Sequence, residues 1–84
     1  MRLVWTDDAW SDCLHWQSND RKTLKRVNQL LKDTLRDPFE GIGKPEPLKY
    51  GAEGAWSRRI TQELRLVYMV SGGDLVILQA RYHY

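Results

Sequence analysis

The spacing of apolar residues predicts a short strand and two helices in the first half of the chain. Residues 1–6 form an alternating stretch that is typical of a strand. Thr6 is predicted to cap a first helix and Asn19 a second, because such side chains accept hydrogen bonds from free N–H groups of a first turn. The second helix is predicted to end at Asp37-Pro38. Its apolar stripe, with a period near 3.6 residues, consists of Leu24, Val27, Leu30, Leu31 and Leu35.

The second half of the chain has the residue types of an antiparallel meander. A proline-containing loop at 38–47 is followed by strand-like runs at 56–60, 64–70 and 75–82. The order of elements predicts an α+β fold, with an N-terminal strand and two helices packed on one face of a mainly antiparallel twisted sheet. A chain of 84 residues is expected to form a single domain, 1–84.

The first hairpin of the meander is predicted to place two arginines opposite each other. With a three-residue turn at 61–63, Ile60 opposes Leu64 and Arg59 opposes Arg65, so both arginines share one face. Opposed cations repel unless an anion such as phosphate lies between them. Glu63 can instead neutralise one of the two arginines. The simplest alternative is that Arg58, Arg59 and Arg65 only make the strand surface soluble. The other, apolar face is predicted to hold Trp56, Ile60, Leu64, Leu66, Tyr68 and Val70.

The second hairpin decides on which face His83 lies. A plain two-residue turn at Gly72-Gly73 places His83 opposite to the face of Arg65, whereas a bulge or a three-residue loop places both on the same face. The register that buries Leu78, Ala80 and Tyr82 is the bulged one. We therefore expect a bulge or a non-standard turn near 71–74, which leaves Gln79, Arg81 and His83 beside Arg65.

Charge and composition exclude several classes of protein and leave others open. The formal net charge is +2, a slight preference for polyanions. The single Cys13 excludes an internal disulfide, and neither a signal segment nor a long apolar run is present, so we expect a cytoplasmic protein without a membrane partner. Two histidines and one cysteine give no metal-ligand spacing, and we expect neither metal nor cofactor.

A few polar residues are candidates for chemistry, each with a simpler alternative. Glu46 lies between Pro45 and Pro47, where it is either a rigidly held general base or a solvated loop residue. His83 can be a general acid near neutral pH or only a polar residue near the end of a strand, and Tyr84 can stack on a base or fray. The basic side of the second helix can contact RNA phosphates or be an ordinary solvated surface.

Taken together, these residues resemble a known family along essentially the whole chain. The resemblance is to the YoeB type of toxin in the RelE superfamily, and the combination of segments is specific although each alone is weak. The matching segments are Pro38-Phe39-Glu40-Gly41, Lys44-Pro45-Glu46-Pro47-Leu48-Lys49, Trp56-Ser57-Arg58-Arg59-Ile60, Arg65-Leu66-Val67-Tyr68 and Arg81-Tyr82-His83-Tyr84.

The resemblance implies the toxin of a type II toxin–antitoxin system with a RelE-like fold. Such toxins are metal-independent endoribonucleases that enter the ribosomal A site and cut messenger RNA there. A YefM-like antitoxin holds them inactive, operator DNA is bound only through the antitoxin complex, and homodimers are common. By position, Glu46 is the general base, Arg65 the phosphate stabiliser and His83 the general acid. Supporting or RNA-binding residues by the same carry-over are Lys49, Arg59, Glu63 and Tyr84.

One departure from the family and two rival functions remain. Relatives often have histidine where this chain has Leu64, and because Leu64 is predicted to face the core we expect an effect on packing rather than on catalysis. A toxin of the same fold can instead inhibit DNA gyrase, which has no need of Glu46 and His83. A non-catalytic RNA-binding or antitoxin-binding module is the third possibility.

Overall fold

The computed structural model describes all 84 residues, which form two helices and one five-stranded sheet. In chain order the elements are β1 (Leu3–Trp5), α1 (Asp7–Asn19), α2 (Arg21–Arg36), β2 (Glu46–Pro47), β3 (Trp56–Arg59), β4 (Leu64–Ser71) and β5 (Asp74–His83). The strand order is β1-β5-β4-β3-β2, with β1 parallel to β5 and every other pair antiparallel. The predicted α+β class is confirmed. Neither helix is long and apolar enough to cross a membrane.

The helix boundaries follow from their capping residues. Thr6 caps α1 as predicted, its hydroxyl accepting from the Ala9 N–H at 3.2 Å. The prediction of Asn19 as the second cap is wrong, because Asn19 is still helical and its amide donates to the carbonyl of His15 at 2.9 Å. Asp20 caps α2 instead, accepting from the Thr23 N–H at 3.1 Å. The predicted end of α2 at Asp37-Pro38 is confirmed.

The core lies between the helices and one face of the sheet. Leu35 and Val70 do not belong to it, contrary to prediction: each is exposed, and each lies near the end of its element. Leu64 packs against the core, as the sequence predicts. The buried cluster consists of Ala9, Trp16, Val27, Leu30, Leu31, Ile60, Leu66, Tyr68, Leu75, Ile77 and Ala80.

The first hairpin has the predicted register, with Arg59 opposite Arg65. The sheet face away from the core, which we call the open face, carries Ser57, Arg59, Arg65 and Val67. Arg58 alternates to the core side, opposite Leu66, and its side chain is 0% exposed. The interpretation of Arg58 as a strand-face solubiliser is therefore wrong.

Arg58 is the centre of a buried polar cluster that ties a loop to the sheet. Its guanidinium bonds to the Asp33 carboxylate at 2.6 Å and to the Tyr68 hydroxyl at 3.2 Å. It also donates to the backbone carbonyls of Asp37, Glu40 and Ile42. Because these three carbonyls belong to the loop between α2 and β2, one side chain holds that loop against α2 and β3.

This cluster predicts a loss of stability in acid. Hydrogen bonds to Asp33 from Arg36, from the Ile42 N–H and from Arg58 lower the pKa of its carboxyl group. A carboxylate with a lowered pKa in the folded state stabilises the fold above its unfolded pKa of about 3.9, and that contribution is lost as the pH falls through the folded value. We expect the free energy of unfolding in urea to fall below about pH 4, and less steeply in Asp33→Asn. Asp7→Asn, which removes a carboxylate without an ion pair, is the control; equal slopes in wild type and Asp33→Asn would contradict this account.

The second hairpin differs from the prediction in the position of its irregularities. The turn is a plain two-residue Gly72-Gly73 connection closed by the pair Ser71 and Asp74, and both glycines have positive φ, as a type I′ turn requires. The bulge predicted near 71–74 is therefore absent. Two register shifts occur further along, between the pairs that involve Tyr68, Val67 and Arg65 of β4.

The two shifts together decide the faces of the last residues. Tyr68 pairs with Ile77, Val67 with Gln79 and Arg65 with Tyr82, so β5 contains two extra residues over this stretch. Each single-residue bulge reverses the alternation, and two restore the alternation of a plain turn. His83 consequently opposes Leu64 rather than lying beside Arg65, and Tyr82 opposes Arg65 rather than entering the core. The predictions that His83 lies beside Arg65 and that Tyr82 is in the core are therefore wrong. The predicted burial of Leu78 is also wrong, because Leu78 lies at the first bulge and is only half-buried.

Candidate active site

Glu46 is held at the edge of the sheet by backbone pairing. It forms β2 with Pro47 and opposes Ser57 of β3, while the Leu48 N–H donates to the Ala55 carbonyl at 2.8 Å. The flanking prolines restrict the backbone further. Glu46 lines a cavity of about 450 Å³ together with Pro47, Leu48, Lys49, Ser57 and Tyr84. The structure thus brings Glu46, Lys49 and Tyr84 to one place.

Arg65 is buried on the open face next to this cavity. Its side chain is held by three backbone carbonyls, those of Thr61, Gln62 and Leu64, at 3.0, 2.7 and 3.3 Å from Nη1. Its guanidinium lies over the ring of Tyr84, 4.5 Å from the ring centre, a cation–π arrangement. Arg65 is only 3% exposed, so its orientation is fixed before any ligand arrives.

Two guanidinium groups on the open face have a buried N–H without an acceptor. These are the Nε atoms of Arg59 and Arg65, which oppose each other across β3 and β4. Buried donors are nearly always hydrogen-bonded, so two unpaired arginine donors are unusual. The two opposed positive charges also repel each other unless an anion lies near them. A phosphate bound between the two arginine side chains would offset this repulsion.

His83 lies apart from this cluster. Its Nε2 is 3.7 Å from the carboxylate of Glu63, and the His83 side chain is 71% exposed. It borders a second cavity of about 370 Å³ that is lined mainly by α1 and the end of β5. The two predicted residues His83 and Glu63 are thus neighbours, but the structure does not bring them together with Glu46. The lining residues are Asp8, Ser11, Asp12, Gln79, Arg81, Tyr82 and His83.

The structure adds Ser57 to the candidate site and shows a structural contact for Arg26 of α2. Ser57 is buried, lines the Glu46 cavity and lies two positions before Arg59 on the same strand. Strand alternation alone places it on the face of Arg59, so the signal was present in the sequence. Arg26, one of the basic residues of α2, donates to the Arg59 carbonyl at 3.2 Å and is in part structural.

No three His, Cys, Asp or Glu side chains lie close enough together to hold a metal ion. The polar groups of the open face are instead cations, one carboxylate and a tyrosine ring. These groups suit a polyanion that carries stacking bases.

Two helices against one face of a five-stranded sheet, with a basic cluster on the other face, define the class of YoeB/RelE-like toxin folds. Within that class the chain belongs to the family described as "YoeB-like toxin of bacterial type II toxin-antitoxin system", whose model matches residues 5–84. It is therefore the toxin component of such a system. The chain is 55% identical to Toxin YoeB of Escherichia coli K12 over 100% of both chains.

Solved structures agree with this assignment. A YoeB/ParE toxin from Agrobacterium tumefaciens matches with a TM-score of 0.93 and 49% identity, covering 100% of both chains. The YoeB dimer from Staphylococcus aureus matches with a TM-score of 0.91 and 42% identity, covering 100% of this chain and 98% of the other. The heterotetrameric YoeB-YefM toxin-antitoxin complex of the same organism matches with a TM-score of 0.87, 42% identity and the same coverage.

Proposed function

We propose that this toxin is an endoribonuclease that cuts messenger RNA in the ribosomal A site by metal-independent transesterification. The observation that carries the proposal is the opposed pair Arg59 and Arg65, whose Nε donors are unpartnered, together with Tyr84, which lies over Arg65 and also lines the Glu46 cavity. They form a preorganised site for a phosphoryl group beside a carboxylate that can act as a base.

In the proposed reaction, Glu46 removes the proton of a ribose 2′-OH. The freed oxygen attacks the adjacent phosphorus, and the bond from phosphorus to the 5′-oxygen breaks. Arg65, with Lys49 and Arg59, stabilises the charge on the phosphoryl oxygens, and His83 protonates the leaving 5′-oxygen. The products are a 2′,3′-cyclic phosphate and a 5′-OH. Each positioned acid or base is expected to contribute about 10²- to 10⁴-fold in rate.

The role of His83 requires its side chain to move. In the structure its imidazole lies toward Glu63, on the Leu64 side of the strand. Both His83 and Tyr84 are exposed, and their side chains contact the Glu63 carboxylate and the Arg65 guanidinium. The Tyr84 N–H also donates to the Glu63 carbonyl at 2.8 Å. Exposed side chains change rotamer readily. We infer that substrate binding draws the His83 imidazole away from Glu63 and toward the leaving group.

The proposed partners follow from the same reaction and from the relatives. The ribosome orders the messenger and thereby supplies the positioning that free RNA lacks, so the proposed place of action is the cytoplasm. The YoeB-YefM complex of Staphylococcus aureus supports a YefM-like antitoxin as partner, and the YoeB dimer supports self-association. Operator DNA is then contacted only through the antitoxin complex.

Cleavage mapping tests the proposal directly. In a purified translation system, primer extension is expected to show a ribosome-dependent cut with wild type and none with His83→Ala. A messenger with 2′-deoxyribose at the cut is the control and is expected to resist, because it lacks the attacking oxygen. Cleavage of the deoxy messenger would contradict the mechanism.

The rival functions give different outcomes in the same system. A folded wild type that leaves the messenger intact while translation continues would exclude the nuclease and favour gyrase as the target. A non-catalytic binding module would still arrest growth after Glu46→Ala and His83→Ala. Arrest that needs both residues, together with a mapped cut, separates the enzyme from both rivals.

A further inference from the structure

Helix α1 and the residue that caps it bond to β5 at both of its register shifts. At the first shift, the hydroxyl of Thr6 bonds to the carbonyls of Ile77 and Leu78 at 2.9 and 3.1 Å. The Thr6 N–H also donates to the Ile77 carbonyl at 3.1 Å. The capping residue of α1 is therefore hydrogen-bonded to the backbone of β5 at the first bulge, where Leu78 is the extra residue.

The second shift is held more completely. Here Ala80 and Arg81 together oppose the single residue Leu66. The Ala80 N–H donates to the carboxylate of Asp12 at 3.0 Å, and the Ala80 carbonyl accepts from the indole N–H of Trp16 at 2.8 Å. Both backbone polar groups of Ala80 are therefore bonded to side chains of α1, at a fully buried position.

This second bulge determines which residues meet at Arg65. With it, Arg65 opposes Tyr82, and Tyr84 continues on the open face with its ring over the Arg65 guanidinium. Without it, the strand would slip by one residue, Arg81 would oppose Arg65, and Tyr84 would leave the open face. Such a register would also bring a third arginine to the pair Arg59 and Arg65, which like-charge repulsion disfavours.

We propose that Asp12 and Trp16 are positioning residues that fix the register of the last residues of β5 and thereby hold the Tyr84 ring over Arg65. Neither side chain lines the Glu46 cavity, and both bond to the backbone of Ala80. Asp12 also lines the second cavity, which His83 borders. Bulges next to active sites commonly serve to re-aim side chains. The catalytic part of this inference rests on the proposed nuclease function, whereas the placement of Tyr84 can be tested without it.

The test combines a rate measurement with a spectroscopic one on the full chain. Cleavage of a messenger on programmed ribosomes is expected to slow about 10- to 100-fold in Asp12→Ala at saturating ribosomes, because small misplacements are costly in catalysis. The half-saturating ribosome concentration is expected to change less than about twofold, since ground-state binding is untouched. Asp12→Asn is expected to retain the rate, because its amide oxygen can still accept from the Ala80 N–H. Asp7→Ala removes an equal charge from the same helix and is the matched control.

The NMR resonance of the Arg65 Nε–H reports the position of the Tyr84 ring directly. We expect Asp12→Ala to move this resonance toward its position in Tyr84→Leu, and Asp12→Asn and Asp7→Ala to leave it unchanged. If Asp12→Ala does not fold, Trp16→Phe tests the same bulge through the Ala80 carbonyl.

The outcomes separate the positioning role from the proposed function. An inactive wild type would overturn the nuclease proposal, while the resonance would still decide whether the bulge places Tyr84. Asp12→Ala with a wild-type resonance would overturn the positioning role, whatever its rate. A shifted resonance with an unchanged rate would overturn the catalytic part alone.

Discussion

Arg65→Lys is expected to slow messenger cleavage by about 100- to 1,000-fold, although the substitution keeps the positive charge. The guanidinium of Arg65 is planar, stacks on Tyr84 and is fixed by the carbonyls of Thr61, Gln62 and Leu64. None of these contacts uses its buried Nε, which has no hydrogen-bond partner. A lysine ammonium is a single flexible point charge that can neither stack in the same way nor reproduce this set of bonds.

The measurement is a single-turnover cleavage rate on programmed ribosomes, with Arg2→Lys as the matched control. Arg2 also binds through its guanidinium, to Asp74 at 2.9 Å, but it is exposed and lies just before β1. Its partner Asp74 begins β5, at the end of that strand away from the turn at 61–63. We expect the control to cut at the wild-type rate. Arg65→Lys at the wild-type rate would show that charge alone suffices, and the proposed donor geometry would be wrong.

The arrangement of Arg65 was predictable from the sequence because it depends on local rules. A three-residue turn fixes the pairing of Arg59 with Arg65, and alternation then separates Leu64 and Leu66 from the arginines. The same holds for the apolar stripe of α2, whose buried members Val27, Leu30 and Leu31 follow the helical period. Such features need only the spacing of residues along one or two neighbouring elements.

The position of His83 was not predictable because it depends on contacts between distant elements. Hydrophobic pattern alone favours one bulge, and the structure has two. The second is bonded by Asp12 and Trp16, 68 and 64 residues away from Ala80 along the chain. The sequence of β5 alone does not indicate that side chains of a helix will hydrogen-bond to the backbone N–H and carbonyl of Ala80.

Arg58 escaped prediction for a related reason. Alternation places it with Trp56 and Ile60 on the core face, but an arginine is rarely fully buried unless it is paired. Its main partners are one carboxylate of α2 and three carbonyls of a loop, and no sequence pattern brings these together. The charge of Arg58 predicts a surface position, whereas its contacts with α2 and the loop place it in the core.

Arg58→Met is therefore expected to lower the free energy of unfolding by about 3 to 5 kcal/mol, because several buried hydrogen bonds of Arg58 are lost and each buried acceptor left unsatisfied costs about 1 to 3 kcal/mol. Methionine fills part of the volume, but the carbonyls of Asp37 and Ile42 lose their Arg58 donor, and unsatisfied buried acceptors are costly. The Glu40 carbonyl keeps only the Arg36 donor at 3.3 Å. Small domains are stable by only about 5 to 15 kcal/mol, so a large part of the stability would be lost. Urea unfolding followed by tryptophan fluorescence measures the change.

Arg36→Met is the control that separates the buried bonds from the charge. Arg36 binds the same carboxylate of Asp33 at 3.0 Å and one of the three loop carbonyls, that of Glu40, at 3.3 Å, but its side chain is mostly exposed. Exposed ion pairs contribute little, and we expect this variant to unfold close to the wild-type midpoint. Equal losses in both variants would mean that neutralising Asp33 is what matters. A loss confined to Arg58→Met would mean that the buried bonds to the loop carbonyls account for the lost stability. The loop that leads to Glu46 would then depend on one buried side chain for its position.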